Sequence, residues 1–204
     1  LFGVKIRNMW GTPFWNFAGL CALFYLRPVL AEKNLERFTL AALVVLALGV
    51  TSVSGFNLFS PYATHKAGRI YFPGAALGQQ LSTAWEARFH QPLRYVIGDT
   101  WVGGNVAFYA LDRPHLLIAG NYEISPWISP DDIKRYGAII VWCRGSCTSQ
   151  DVNDIPEWFW TEFSQAEQQG VLTLPQQTGA AVPPAKIGWA ILAPGLTPLM
   201  RARE

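Results

Sequence analysis

The chain has 204 residues, and half of them are hydrophobic, which is enough apolar material for one large domain or one domain with an appendage. Its formal net charge is only +2. No basic face and no nucleic-acid-binding motif is present in the sequence, so we expect no nucleic acid among its partners.

Two charge-free stretches in the first third of the chain have the length and composition of membrane-spanning helices. They cover residues 8–26 and 38–64, and each is close to the ~20 residues needed to cross a bilayer. The second, "FTLAALVVLALGVTSVSGFNLF", is apolar on every helical face and carries small residues that suit close helix packing in lipid. We predict transmembrane helices over about 9–30 and 38–59, within a membrane domain of residues 1–64.

Loop charges predict the orientation of these helices. The connecting loop carries Arg27, Lys33 and Arg37, which places it in the cytoplasm by the positive-inside rule. Residues 65–204 are then expected outside the cytoplasm. Buried helices of a soluble protein would give similar apolar runs, and that alternative stays open.

Residues 65–204 alternate between helical and strand-like patterns. After Pro73, apolar residues recur every fourth position at Leu77, Leu81, Trp85 and Phe89, which predicts one apolar helix stripe. The run "LRYVIG" predicts a strand, "NVAFYAL" a short helix and "HLLIAG" a second strand.

The second half of this domain repeats the order. "SPDDIKRYG" has an N-cap serine, a proline and acidic residues in its first turn and a terminal glycine, which predicts a helix. "AIIVWC" predicts a strand buried on both faces, "DIPEWFWTEFSQAEQQG" a helix and "KIGWAILAP" a last strand. We therefore predict a three-layer α/β domain with a mainly parallel sheet over residues 65–204.

The stretch "GDTWVGGNVAFYALDRPH", residues 98–115, contains the best candidates for a ligand site. Asp99 follows a strand, where parallel α/β sheets bind ligands, but an aspartate there also caps the next helix. Trp101 and Asn105 are further candidate contacts to an acceptor or ligand. Asp112 and Arg113 are best explained as a turn before Pro114.

Known catalytic and nucleotide-binding signatures are missing from the sequence. It has no GxGxxG, no GxxxxGK[ST] and no GxSxG. We therefore assign no catalytic residue, and we expect neither a cofactor nor a metal.

Cys143 and Cys147 form the motif "CRGSC". The spacing permits a small disulfide loop, and free thiols remain an equal alternative. A metal site would need two further ligands, and none lies nearby in sequence.

The motifs "FPG", "GDTWVGGNVAFYALDRPH", "SPW" and "GAIIVW", in this order, resemble the C-terminal extramembrane domain of bacterial polytopic glycosyltransferases. The group is the family 39-like, C-type superfamily, with protein mannosyltransferase and aminoarabinose transferase relatives. "WGTPFW" is similar to the start of a late transmembrane helix in these proteins. The likeness covers roughly residues 8–195.

The resemblance implies an enzyme of the bacterial inner membrane that is a hexosyl- or pentosyltransferase. It would take a sugar from a polyprenyl-phosphate donor and pass it to a glycan or lipid acceptor of the envelope. Its catalytic carboxylate would lie in a first extramembrane loop without counterpart here, so we expect a C-terminal piece that starts at Leu1 without an initiator methionine. The alternative is a non-catalytic, membrane-tethered module that binds a glycan or a partner.

Overall fold

A computed structural model describes residues 32–143 and 163–195, together with residues 21, 24, 25, 145, 147, 148, 155, 156 and 159. The chain divides into two compact units, residues 1–55 and 56–204. The boundary between these two units lies within a long helix, Glu32–Thr64.

Helix α1 spans Glu32–Thr64 and is long and apolar enough to cross a bilayer. Within the first unit, the described side chains of residues 33–54 are all exposed. A helix that is apolar on all sides and unburied has the character expected of a segment that lies in lipid. The prediction of a helix over about 38–59 that is long and apolar enough to span a bilayer is therefore confirmed, and its insertion in a membrane stays a prediction. The other predicted span, about 9–30, lies outside the described residues except at Cys21, Phe24 and Tyr25.

The second unit contains the remaining helices and strands. After the end of α1, a single 3₁₀ turn at Arg69–Tyr71 leads into the α/β domain. The elements that follow are α2 (Gly74–Phe89), β1 (Tyr95–Gly98), α3 (Val102–Tyr109), β2 (His115–Ile118), α4 (Pro130–Tyr136), β3 (Ala138–Trp142), β4 (Glu167–Leu174) and β5 (Ala185–Leu192).

The five strands form one sheet in the order β2-β1-β3-β5-β4. Strand β1 pairs in parallel with both β2 and β3, whereas β5 is antiparallel to β3 and to β4. The α/β class is confirmed, but the sheet is mixed rather than mainly parallel. The physical reason is the short connection from β4 to β5, because a link without a crossover helix returns the chain antiparallel.

Helices cover both faces of this sheet. One core cluster joins Leu81 and Trp85 of α2 to Val106 of α3 and to the sheet, and the other joins Ile133 of α4 and Phe163 to the opposite face. Strand β3 is buried at every position, which confirms its prediction as a strand covered on both faces. The three-layer arrangement is thus present among the described residues.

One predicted helix is wrong over its last residues. The sequence "DIPEWFWTEFSQAEQQG" predicts a helix that ends at Gly170. Phe159 is helical and its carbonyl accepts a hydrogen bond from the Phe163 backbone N–H at 2.8 Å, but residues 167–174 form β4. Residues 154, 157, 158 and 160–162 of this segment lie outside the described residues. Most of β4 is exposed and it lies at the edge of the sheet, so it has no apolar alternation that would mark it as a strand. Its state is decided by pairing with β5 rather than by its own side chains.

Candidate binding cleft

The carboxyl ends of β1 and β3 meet at one edge of the sheet. From β1 the chain passes through α3 to β2 on one side, and from β2 it returns through α4 to β3 on the other side. The two crossover helices pack on opposite sheet faces. The strand order reverses between β1 and β3, and such a switch point is where open α/β sheets bind ligands at the carboxyl ends of their strands.

Asp99 follows β1 at this edge and acts as a cap. Its Oδ1 accepts hydrogen bonds from the backbone N–H groups of Trp101 at 2.7 Å and Val102 at 2.6 Å. These groups belong to the beginning of α3, where backbone donors have no partner within the helix. The structure thus places Asp99 in the capping role, which the sequence left open beside a functional one.

Trp101 and Asn105 lie in different surroundings. Trp101 is half-buried and lines a cleft at the switch point. Asn105 instead donates its Nδ2 hydrogen to the Trp101 carbonyl at 2.8 Å, and its Oδ1 lies so close to Gly74 that a Cβ there would come within 2.4 Å. Asn105 therefore joins α3 to α2 and is not among the lining residues of the cleft.

The cleft has a volume of about 230 Å³. Its lining combines residues from four separate parts of the chain, namely Ala67, Gly68, Arg69, Phe72, Trp101, Gly145 and Gln176. Among the described residues, the lining contains Arg69 and no aspartate or glutamate, so the formal charge that these residues contribute is positive.

Arg69 and Trp101 form the polar and aromatic wall of the cleft. The guanidinium carbon of Arg69 lies 5.0 Å from the Trp101 ring centroid, which is a cation–π distance. The ring of Phe72 lies 5.8 Å from that of Trp101. Among the described residues, the ion pair formed is Arg88–Glu167, and no carboxylate pairs with Arg69. The Arg69 charge is therefore positioned by a ring and not neutralised by an acid.

The loop after β4 also contributes to the lining of the cleft, through Gln176. Its position is set by a hydrogen bond from the Gln177 backbone N–H to the Tyr71 carbonyl at 2.8 Å. The neighbouring Gln176 has a buried Oε1 with no hydrogen-bond donor among the described residues. A buried amide oxygen without a donor costs free energy, so a rotation of the Gln176 side chain that brought this atom to a donor would be favourable.

A disulfide joins Cys143 and Cys147 just beyond β3, so these residues are not free thiols. Cys147 is buried, and its carbonyl accepts a hydrogen bond from the Lys186 backbone N–H at the start of β5. Gly145, inside the closed loop, lines the cleft. The crosslink therefore fixes one side of the cleft to the sheet.

The remaining polar candidates do not gather at the cleft. Asp112 accepts a hydrogen bond from the Leu93 N–H at 3.0 Å, and the Arg113 N–H donates to the Ala110 carbonyl, which is the expected turn. Within the described ranges, no three His, Cys, Asp or Glu side chains lie close enough together to hold a metal ion. In the part of the cleft that the structure describes, the residues offer binding groups and bring together no nucleophile and base.

The groups whose pKa values are shifted also lie outside the cleft lining. Burial, with the nearby Asp132 carboxylate, raises the pKa of the Tyr95 hydroxyl, which lies on β1 outside the cleft lining. Shifted acids and bases are typical of catalytic sites. Their position here gives no support to catalysis in the cleft.

Reasoning from the sequence missed Arg69, Phe72 and Gln176. Phe72 is part of the "FPG" motif, and Arg69 is a cation only five residues after the end of α1 at Thr64. In the sequence, Arg69 is only one of the charges that flank the predicted membrane span. Gln176 has no comparable signal, because only the fold brings its loop to the switch point.

No protein family, curated protein or solved structure matches this chain. The class defined by its own geometry is an α/β domain that follows a helix able to span a membrane and that carries a basic, aromatic cleft.

Proposed function

We propose that this chain is the C-terminal part of an integral-membrane glycosyltransferase of the bacterial inner membrane. The enzyme transfers a sugar from a polyprenyl-phosphate donor to an envelope acceptor. Support comes from the motif resemblance and from an apolar helix that leads directly into an α/β domain. The extramembrane domain lies outside the cytoplasm and binds substrate, while the catalytic carboxylate belongs to a first extramembrane loop upstream.

The observation that carries this proposal is the position of the cleft. Its first lining residue, Ala67, is three residues beyond Thr64, the last residue of the apolar helix. A cleft so close in sequence to a membrane span is well placed for a saccharide that is itself attached to lipid. Its aromatic and cationic lining suits a sugar better than an apolar ligand.

The test is sugar transfer by the complete reading frame that contains this chain. Membrane vesicles from expressing cells would receive radiolabelled polyprenyl-phosphate glucose, mannose, galactose or aminoarabinose. Label should pass from one donor to an envelope glycan or lipid, and Trp101→Ala should reduce that transfer. Trp127→Ala, which changes an exposed tryptophan outside the cleft, is the matched control.

Failure of all four donors to transfer label would contradict the proposal. The proposal would also fail if the reading frame encoded neither further membrane helices nor an acidic extramembrane loop before Leu1. Binding of an envelope glycan without any transfer would instead favour the non-catalytic binding module.

A further inference from the structure

We propose that the cleft is a binding site for one acidic monosaccharide unit, meaning a sugar that carries a carboxylate or a phosphate group. The inference rests on the proposed function in that the domain meets envelope saccharides, and it adds the chemical class that the domain selects. Three groups of the lining carry it: the Arg69 cation, the Trp101 ring and the Gln176 amide oxygen.

The cation is available to an anion. The Trp101 ring lies against the guanidinium of Arg69 and orients it, while no carboxylate of the described residues pairs with it. When the flat face of a guanidinium contacts a ring, the N–H donors in its plane remain free. Two of these donors can bind two oxygens of one carboxylate or phosphate group. Arg69 is exposed, so it can reach the anionic group of a ligand at the mouth of the cleft, whereas a neutral sugar offers it no charge to pair with.

The aromatic wall and the amide select a sugar rather than a bare anion. Trp101 and Phe72 both line the cleft, but Arg69 lies over the Trp101 ring and Phe72 is only 9% exposed. The aromatic surface left for the apolar C–H face of a pyranose is therefore the uncovered part of the Trp101 ring. The Gln176 Oε1 is buried and has no donor among the described residues, so a rotation of this side chain into the cleft would let it accept a hydrogen bond from a sugar hydroxyl. Inorganic phosphate would be held by Arg69 but would cover neither ring.

The size of the cleft limits the ligand to one small unit. Its volume of about 230 Å³ is below that of clefts that bind drug-sized ligands, which are about 300 to 1,000 Å³. A single monosaccharide with one charged substituent is in keeping with this space, and the rest of a longer glycan or its lipid would extend outward.

The experiment is calorimetric titration of the full chain in nanodiscs of phosphatidylcholine. Glucuronate, glucose 6-phosphate, glucose and inorganic phosphate are titrated separately. Both acidic sugars should bind more tightly than glucose and than inorganic phosphate. Their relative affinity shows whether the anionic group that the cleft prefers is a carboxylate or a phosphate.

Matched variants test the residues. Arg69→Ala should weaken binding of the acidic sugars about tenfold, the usual loss for a charge-assisted hydrogen bond, and leave glucose unchanged. Lys66→Ala removes an exposed cation three residues away that is not part of the lining, and it should leave every affinity within about twofold. Gln176→Ala should weaken the binding of all three sugars, whereas Gln177→Ala should leave their affinities unchanged.

Three results would overturn the inference. Glucose could bind as tightly as the acidic sugars, inorganic phosphate could match glucose 6-phosphate, or Lys66→Ala could cost as much as Arg69→Ala. The titration requires no transfer, so its failure with sugar transfer intact would reject the acidic-sugar site and leave the proposed function standing. If the complete enzyme bound acidic sugars but transferred no sugar, the acidic-sugar site would stand and the proposed function would be rejected.

Discussion

The Asp99 carboxylate and the Val102 backbone N–H are joined by a hydrogen bond of 2.6 Å, and the same oxygen also binds the Trp101 N–H. Asp99→Ala should therefore lower the free energy of unfolding of the second unit by about 1 to 2 kcal/mol, the usual loss for a cap. Asp99→Asn keeps an acceptor and loses the charge at the helix start, so its cost should be about 0.5 kcal/mol. Denaturant unfolding followed by near-ultraviolet circular dichroism measures both.

Glu86→Ala is the control for these variants, because Glu86 is an exposed acid on α2. It should change the free energy of unfolding by less than about 0.5 kcal/mol. Equal stability of Asp99→Ala and Glu86→Ala would show that the cap contributes nothing.

Gly78 is a point of close backbone approach between α2 and the end of α3. A Cβ at this position would lie 2.7 Å from the Ala110 nitrogen and 2.8 Å from the Tyr109 carbonyl carbon. Backbone cannot move aside as a flexible side chain can, so Gly78→Ala should destabilise the second unit by about 1 to 3 kcal/mol. The melting temperature of the variant in detergent should fall, and thermal unfolding measures it.

Gly104 supplies a matched substitution in α3. A Cβ there has no atom within 4 Å, so Gly104→Ala gains helix propensity without a clash. It should stabilise by roughly 0.5 kcal/mol. If both alanine variants moved the melting temperature in the same direction, the close approach at Gly78 would be wrong.

The disulfide between Cys143 and Cys147 closes a loop of five residues. Chain-entropy arguments assign about 2 kcal/mol to a loop of this length. The double variant Cys143→Ser, Cys147→Ser should lose about this much stability, and a reducing agent should lower the melting temperature of the original chain only. Cys21→Ser, which changes the free cysteine, is the control and should leave the response to the reducing agent intact.

A capping box at α4 makes stability depend on pH. Hydrogen bonds from the Ser129 hydroxyl at 2.7 Å and from the Ser129 backbone N–H at 3.0 Å hold the pKa of the Asp132 carboxyl below its usual range. Because the pKa is lower in the folded than in the unfolded chain, this contribution is present above about pH 4 and is lost as the pH falls through the folded value.

Ser129→Ala should return the Asp132 pKa towards its ordinary value and cost about 1 kcal/mol at neutral pH. Carboxyl-carbon resonances followed by NMR during an acid titration report the pKa directly. The Glu167 carboxyl, whose pKa is lowered by its hydrogen bond from Arg88, should titrate unchanged and serves as the internal reference. An unaltered Asp132 titration in the variant would contradict this assignment.

Elements with strong local signals were predictable from the sequence. Helix α4 has Ser129 as its N-cap, Pro130 in its first turn and Gly137 as its C-cap, as predicted. The apolar stripe of α2 is also confirmed, since Leu77, Leu81 and Trp85 are fully buried. In these segments local propensity and tertiary burial favour the same structure.

Strands β4 and β5 were harder to predict. The glutamate- and glutamine-rich start of β4 favours a helix locally, and only pairing with β5 makes it a strand. Strand β5 was predicted as a strand, but a strand buried on both faces gives no signal for its direction.

The cleft was predictable at one residue only. Trp101 was a candidate because it follows β1, whereas Arg69, Gly145 and Gln176 are distant from it in sequence. Their association depends on the reversed order of β1, β2 and β3 and on the loop after β4. Asn105 was a candidate for the same reason as Trp101, yet it lies in the contact between α2 and α3.

The most direct test of the central claim is photo-crosslinking of a saccharide to the complete enzyme in nanodiscs. A diazirine derivative of glucuronate would be irradiated with the protein, and the labelled peptides would be identified by mass spectrometry. We predict label on the segments that contain Arg69, Trp101 or Gln176, with competition by free glucuronate and loss of label in Arg69→Ala. Label spread over the domain surface, or label on these segments that free glucuronate does not displace, would contradict the account.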